Sequence, residues 1–125
     1  MKMHGQRWVY QIGNNVVYID NAFAWIGWTQ ERMVINDETV QSTDGWFRAR
    51  QDYLEPWIVP GGEGLLTVKL AARMIDVACF ADLDGQSLVP MQMLKSKWSG
   101  PKWSWPEEAE WALANRASSS VVLPG

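Results

Sequence analysis

Between Gly64 and Pro90, apolar and polar residues alternate in a way that leaves few possible folds for this chain. In the first half of the stretch, the apolar residues hold even-numbered positions: Leu66, Val68, Leu70, Ala72 and Met74. A period of two residues is typical of a β-strand with one buried face. Further along, they hold odd-numbered positions: Ile75, Val77, Cys79, Ala81 and Leu83. Because a regular strand cannot exchange its two faces, the sequence predicts a bulge or turn between Ala72 and Ile75 that joins two strands.

Residue pairs suited to tight turns separate this stretch and other strand-like segments. Asp84-Gly85 has the composition of a type I′ turn, in which both central residues have positive φ. Gly13-Asn14-Asn15 and Asn36-Asp37 predict two further hairpins, and Asp44-Gly45 predicts another turn. Residues 22–28 fit either a strand with a bulge or a broad loop. Strands that recur about every ten residues up to residue 94 predict a mainly β fold, an antiparallel β-sandwich or a short barrel built of hairpins.

The last third of the chain changes character after residue 94. Residues 95–104 interleave lysine with tryptophan and have no apolar period, which predicts a connecting arm. Ser104-Trp105-Pro106-Glu107 has the pattern of a capping box, which predicts an α-helix from about Trp105 to Ala117. A tail of residues 118–125 follows. With a β-sheet core of residues 1–94, these segments make up one predicted domain of residues 1–125.

Composition limits the classes of partner. A chain of 125 residues can bury a core without disulfides, and its one cysteine, Cys79, is predicted to be a small core residue. The net charge of −3 does not favour nucleic acid as a partner. The start of the chain is polar, and no apolar run approaches the ~18 residues of a membrane span. The sequence therefore predicts a cytoplasmic protein with no membrane partner.

Candidates for catalysis are scarce. The one histidine, His4, lies in a start of the chain that the sequence predicts to be disordered, so it builds neither a catalytic triad nor a three-histidine zinc site. No glycine loop has the pattern that holds phosphate. Asp76 and Asp82 would lie about 20 Å apart on one strand, too far for a glycosidase pair. The sequence thus nominates no catalytic residue, metal ligand or cofactor, and it does not favour an enzyme.

The nine tryptophans are the most unusual part of the composition. Trp8, Trp46 and Trp57 lie in or beside strand patterns, which predicts core positions. Six residues are candidates for binding: Trp25, Trp28, Trp57, Trp98, Trp103 and Trp105. Those of the arm fit two interpretations: a lid on the sheets or an oligomer contact, which we favour, or a platform for a ligand. In the second interpretation the arm could hold single-stranded nucleic acid or a sugar ring.

The order of motifs between residues 27 and 88 resembles the layout of the Fas apoptotic inhibitory molecule family. The matching elements are Val34-Ile35-Asn36-Asp37, Trp46-Phe47 and Asp84-Gly85-Gln86-Ser87-Leu88. In that family a strand with a tight turn, a tryptophan-bearing strand and a later strand pair belong to one non-enzymatic β-sandwich. The resemblance implies that fold here, and it assigns no functional residue.

Three functional hypotheses follow from the sequence. We favour a non-catalytic β module that acts by protein association, as a homo-oligomer and most simply a homodimer, through the arm, the helix or a free sheet edge. The alternative is a protein that binds a small apolar or aromatic molecule, or a sugar, in a pocket lined by Trp25, Trp28, Trp57 and Trp103. The third is an enzyme that combines Asp or Glu with a tyrosine at position 10, 18 or 53.

Overall fold

The computed structural model describes residues 1–46, 54–72 and 76–114. In these residues the chain forms two antiparallel sheets and no closed barrel. The strands are β1 (Lys2–Ile12), β2 (Asn15–Phe23), β3 (Trp28–Ile35), β4 (Glu38–Trp46), β5 (Trp57–Val59), β6 (Gly64–Ala72), β7 (Val77–Leu83), β8 (Gln86–Ser87), β9 (Gln92–Ser99) and β10 (Ala112–Leu113). The larger sheet has the order β10-β9-β1-β2-β3-β4, and the smaller sheet has the order β5-β6-β7-β8. The predicted mainly β fold is confirmed, and a sandwich of hairpins fits it.

Three of the four predicted turns join neighbouring strands. Asn36 and Asp37 have φ values of 51° and 68°, and Asp84 and Gly85 have φ values of 49° and 85°, so both pairs have the positive φ that a type I′ turn requires. Residues 13–14 form the turn between β1 and β2. The turn predicted at Asp44-Gly45 is wrong, because β4 continues through both residues and pairs them with β3.

The core lies between the two sheets and follows the parity seen in the sequence. On β6, Leu66, Val68 and Leu70 are buried, whereas on β7 the odd-numbered residues face the same core, with Ala81 buried. The predicted change of parity is therefore confirmed. Residues 73–75, where the bend was placed, lie outside the described residues. We call the side of the larger sheet that packs on this core its inner face and the opposite side its outer face.

The C-terminal α-helix predicted from about Trp105 to Ala117 is wrong in the part that the structure describes. A three-residue 3-10 turn, Glu108–Glu110, leads into β10 instead. Trp111 is extended (φ −78°, ψ 128°) and buried, and β10 pairs with β9. Tertiary packing of this indole and strand pairing outweigh the local preference for helix. Residues 115–117 of the predicted helix and the tail of residues 118–125 lie outside the described residues.

The capping box forms three residues later than predicted. Ser104 Oγ accepts a hydrogen bond from Trp98 Nε1 at 3.1 Å and donates one to the backbone oxygen of Pro101 at 2.7 Å, so it caps no helix. Glu107 and Glu110 form the box in its place, with the Glu107 amide donating to Glu110 Oε1 at 2.9 Å. These bonds stabilise a single turn.

The connecting arm predicted for residues 95–104 is wrong for residues 95–99, which belong to β9. This strand is in the interior of the larger sheet, paired with β1 on one side and β10 on the other. The interleaving of lysine and tryptophan is strand alternation: Lys95 and Lys97 belong to the inner face, while Ser96 and Trp98 belong to the outer face. The segment after β9 then crosses the outer face, where Trp98 and Trp105 pack beside Trp28.

The tryptophans predicted for the core have different surroundings. Trp8 is buried as predicted, and Trp57 is partly buried against the core. The prediction for Trp46 is wrong, since 47% of it is exposed. Trp46 is the last residue of the edge strand β4 and is paired with Trp28. Both lie on the outer face, away from the smaller sheet.

Candidate functional site

The register of the larger sheet defines three neighbouring rows of side chains near one end of its inner face. The first row is apolar and includes Met93, Trp8, Ile19 and Met33. The second row is polar and includes Lys95, Gln6, Asn21 and Glu31. The third row includes Lys97, His4 and Phe23. The amide of Val77, the first residue of β7, donates to Gln6 Oε1 at 3.0 Å, so the smaller sheet reaches the second row.

A cleft of about 360 Å³, which we call the end cleft, lies at this end of the sandwich. Its lining includes His4, Gln6, Phe23, Trp25, Lys95 and Lys97. The His4 and Phe23 rings are stacked with centroids 5.3 Å apart, and the Trp25 ring meets the Phe23 ring edge-on at 5.0 Å. Three rings from β1, β2 and the loop after β2 thus make an aromatic wall, and two lysines of β9 lie beside it, with Lys97 paired with His4.

The end cleft has a positive character that does not depend on its histidine at neutral pH. Partial burial lowers the pKa of His4 below its usual 6.5, and the charges of Lys97 and Lys2 lower it further. The imidazole is therefore neutral at pH 7. Lys95 and Lys97 supply the cations of the cleft, and Asp76, on the smaller-sheet side, contributes a carboxylate.

The outer face contains a buried ion network centred on Arg7. Its Nε and Nη2 atoms donate to the two carboxylate oxygens of Asp20 at 2.7 and 2.9 Å, and its Nη1 donates to Glu108 Oε1 at 2.7 Å. Arg32 Nε donates to Asp20 Oδ2 at 2.8 Å. The Arg7 guanidinium also lies 4.6 Å from the centroid of the Trp111 ring. The network joins the segment after β9 to the centre of the sheet.

The pKa values in this network show that its charges stabilise one another. Burial acts to lower the pKa of Arg7, but hydrogen bonds to Asp20 and Glu108 outweigh it and raise that pKa above its ordinary value. The hydrogen bond from Arg7 lowers the pKa of Glu108, against a smaller opposing effect of burial. Both groups stay ionised at neutral pH, which indicates a structural role for the network.

Cys79 and Tyr10 meet in the core, with the sulfur 3.5 Å from the phenol oxygen. Burial raises the pKa of the Cys79 thiol to about 12, against a smaller opposing effect of the hydrogen bond with Tyr10. Burial also raises the pKa of Tyr10. Both groups are protonated at neutral pH, and the thiolate, not the thiol, is the nucleophile. Tyr53, the other tyrosine named with Tyr10 and Tyr18 for an enzyme, lies outside the described residues.

The part of the chain that the structure describes contains neither a candidate metal cluster nor a membrane-spanning helix. Across residues 1–46, 54–72 and 76–114, no three His, Cys, Asp or Glu side chains are grouped to hold a metal ion. Across the same residues, no helix has the length and apolar character needed to cross a bilayer.

No family model, curated protein or solved structure matches this chain. The resemblance to the Fas apoptotic inhibitory molecule family therefore stays a prediction.

The six tryptophans proposed for binding are distributed over different parts of the molecule. Trp25 lines the end cleft, while Trp57 lies beside the core near Val40 and Pro60. Trp28 and Trp103 meet on the outer face, with ring centroids 5.7 Å apart. Trp98 and Trp105 also lie there, 6.1 Å apart. The pocket predicted from Trp25, Trp28, Trp57 and Trp103 is consequently not formed as one site.

Sequence reasoning missed several residues that the structure brings together. The sequence pattern assigns no role to Arg7, Asp20 or Trp111. The disordered start that it predicts around His4 is wrong, because His4 belongs to β1 and is paired with β2 and β9. A signal for Arg7 and Asp20 was present: a turn at residues 13–14 pairs residues whose numbers sum to 27, which puts Arg7 opposite Asp20. Nothing in the local sequence places Trp111 over them.

Proposed function

We propose that this chain is a non-catalytic β module that binds a small molecule with a flat apolar part and a negative charge in the end cleft. The observation that carries the proposal is the pairing of an aromatic wall with two lysines. His4, Phe23 and Trp25 provide the wall, and Lys95 and Lys97 provide the charge.

The size and lining of the end cleft support this class of ligand. Sites for small molecules are concave, of about 300–1,000 Å³, and combine apolar or aromatic walls with a few polar groups that orient the ligand. At about 360 Å³ the cleft is at the lower end of that range. Gln6 is paired with Lys95 across β1 and β9, and its side-chain oxygen accepts a hydrogen bond from the Val77 amide.

The state of the core nucleophiles supports a non-catalytic role. Cys79 and Tyr10 are held protonated by burial, and they lie between the sheets instead of in the cleft. A nucleophile for covalent catalysis needs a lowered pKa or an adjacent base. The end cleft offers binding groups, and its neutral His4 is used in ring stacking.

The proposal is tested with 8-anilinonaphthalene-1-sulfonate, a flat aromatic anion whose fluorescence rises on binding. We expect Lys95→Met/Lys97→Met to weaken its affinity about tenfold, since charge contacts at two exposed lysines contribute about 0.5–1 kcal/mol each. Lys69→Met is the matched control, because Lys69 lies on the far side of the smaller sheet. Equal weakening by both variants would contradict the proposed site.

Charge and pH provide two further arms of this test. N-phenyl-1-naphthylamine has similar rings without the sulfonate, and its affinity should be insensitive to the lysine substitutions. Lowering the pH protonates His4 below its depressed pKa and adds a positive charge to the cleft, so affinity for the sulfonate should rise there. His4→Gln should remove that rise. A pH dependence that persists in His4→Gln would place the titrating group elsewhere.

Self-association is a second candidate function, favoured by the outer surface of the smaller sheet. Ile58, Leu65 and Phe80 are exposed there, and Ile58 is paired with Leu65. Lys69 and Asp82 bring opposite charges to the same surface. A two-fold pairing of two copies could match each charge with its opposite, because the same patch meets itself in such an interface.

Light scattering tests this second candidate. A dimer should have twice the 14.2 kDa mass of the chain. Phe80→Lys should return the mass to that of the monomer, because a dimer would have to bury an unpaired charge. Phe23→Lys changes a ring of the end cleft and should leave the mass unchanged. A monomer at tens of micromolar would remove self-association from consideration.

A further inference from the structure

The ammonium group of Lys102 lies inside a cage of three indole rings. Its Nζ is 5.3 Å from the centroid of Trp28, 5.6 Å from that of Trp46 and 5.3 Å from that of Trp103. The Trp28 ring is inclined by 68° to Trp46 and by 88° to Trp103. We call these three residues the indole cage. Their faces enclose a cation from several directions, which is the geometry of a cation–π site.

The indole cage is held in place by a buried amide. Gln30 is 2% exposed, and its Oε1 accepts from Trp28 Nε1 and from the Trp103 amide, both at 2.8 Å. Its Nε2 donates to the backbone oxygen of Ser104 at 2.7 Å. These bonds keep Trp103 at φ 69°, a left-handed conformation that non-glycine residues rarely adopt. The third wall is therefore fixed before any ligand arrives.

The carboxylate of Asp44 adds negative charge at the rim of the cage. Trp103 Nε1 donates a hydrogen bond to Asp44 Oδ2. Asp44 belongs to β4 and is paired with Gln30 of β3. The same residue thus orients one indole and makes the entrance more favourable to cations than to anions.

Lys102 is a poor chemical match for the site that it occupies. A primary ammonium is a compact, strongly hydrated cation with three donors. Among the residues that the structure describes, no carboxylate or carbonyl oxygen accepts a hydrogen bond from its Nζ. A quaternary ammonium has no donors to satisfy and is the cation for which aromatic cages are best suited.

We propose that the indole cage is a binding site for a small quaternary ammonium compound of the choline type, and that Lys102 is its internal competitor. The site is separate from the end cleft, since it lies on the outer face of the larger sheet. A compound that also carries a carboxylate, such as glycine betaine, binds less well because Asp44 repels it. Trp103, 61% exposed, leaves the ligand a path to solvent.

Removal of the competitor gives the main test. In Lys102→Ala the cage is open, and choline should bind about tenfold more tightly than to the unmodified chain if Lys102 otherwise fills the cage about nine-tenths of the time. Lys102→Gln, which keeps part of the side-chain stem without the charge, should also bind more tightly. Affinities are measured by titration with choline followed through the indole N–H resonances in ¹H–¹⁵N spectra. The resonances of the indole cage should shift, and those of Trp8 and Trp57 should stay.

Three comparisons decide between the possible outcomes. Adding Trp103→Ala to Lys102→Ala should abolish binding, whereas Lys2→Ala, which removes a lysine at the start of β1, should leave the affinity of the unmodified chain unchanged. 3,3-Dimethylbutan-1-ol has the shape of choline without its charge and should not bind. Equal binding of the alcohol would show an apolar pocket and overturn the proposal. It would also be overturned by shifts at other tryptophans, or by no gain in either Lys102 variant.

Discussion

Arg7→Met is expected to lower the free energy of unfolding by about 3–5 kcal/mol, the usual effect of removing one partner of a buried ion pair. Arg7 is 2% exposed and Asp20 is completely buried, and two hydrogen bonds join them. Methionine fills part of the space but leaves the Asp20 carboxylate with Arg32 as its remaining cation. The loss is measured by urea denaturation at pH 7. The variant and the unmodified chain are compared with the same dependence of unfolding free energy on urea concentration.

Glu108→Gln is the matched control for this prediction. Glu108 binds the same guanidinium, but 68% of its side chain is exposed, so water replaces much of what is lost. Exposed ion pairs contribute about 0–1 kcal/mol, and we expect a change in that range. If Arg7→Met destabilised the chain no more than Glu108→Gln does, the network would contribute little to the fold.

A second variant separates the ion pair from simple loss of packing. Arg7→Met/Asp20→Leu removes the buried carboxylate together with its principal partner, so the remaining core is apolar at both positions. Replacing a buried pair by apolar residues is often close to neutral. The double variant should therefore be more stable than Arg7→Met alone. A double variant that is less stable would assign the effect to the shape of the arginine and its contacts with Tyr18 and Trp111.

The parts of the fold that could be predicted from the sequence depend on local chemistry. Asn36-Asp37 and Asp84-Gly85 tolerate positive φ, so each specifies a tight turn without reference to distant residues. The parity of Leu66, Val68 and Leu70 likewise fixes which face of β6 is buried. Asp44-Gly45 has the same composition as a real turn, but β3 continues beside it and supplies pairing partners. Local composition cannot detect a neighbouring strand.

The C-terminal segment shows why the remainder required tertiary information. The glutamates near residue 108 have the pattern of a helix start, yet Trp111 is buried on the outer face and β10 pairs with β9. Packing of this kind outweighs the local preference for helix, because helix propensities differ by only about 1 kcal/mol per residue. The end cleft is a comparable case. It lies where the smaller sheet stops, and the parity of a strand does not report how far a facing sheet extends.

Gly5→Ala is expected to destabilise the chain by about 2–3 kcal/mol, in the upper part of the range for overpacking. A Cβ atom at this position would lie 2.6 Å from Cζ3 of Trp98 and 3.1 Å from Cη2 of Trp111. Gly5 pairs with Ala22 on one side and Ser96 on the other. The three small residues form a trough in which the indole rings lie, and the measurement is again urea denaturation.

The sign of the Gly5→Ala effect is what makes it informative. Gly5 does not have the positive φ that would strain alanine, and alanine in a strand is usually more favourable than glycine by about 0.5–1 kcal/mol. Without the indoles, the substitution should thus stabilise the chain. In a Trp98→Leu background the nearest ring is gone, so Gly5→Ala should cost at least 1 kcal/mol less, a coupling typical of residues in contact. Equal effects in both backgrounds would mean that the Trp98 ring does not lie over Gly5 as the structure shows. Trp98 Nε1 donates a hydrogen bond to Ser104 Oγ at 3.1 Å, so a Trp98 ring that lay elsewhere would not hold the segment after β9 against the outer face.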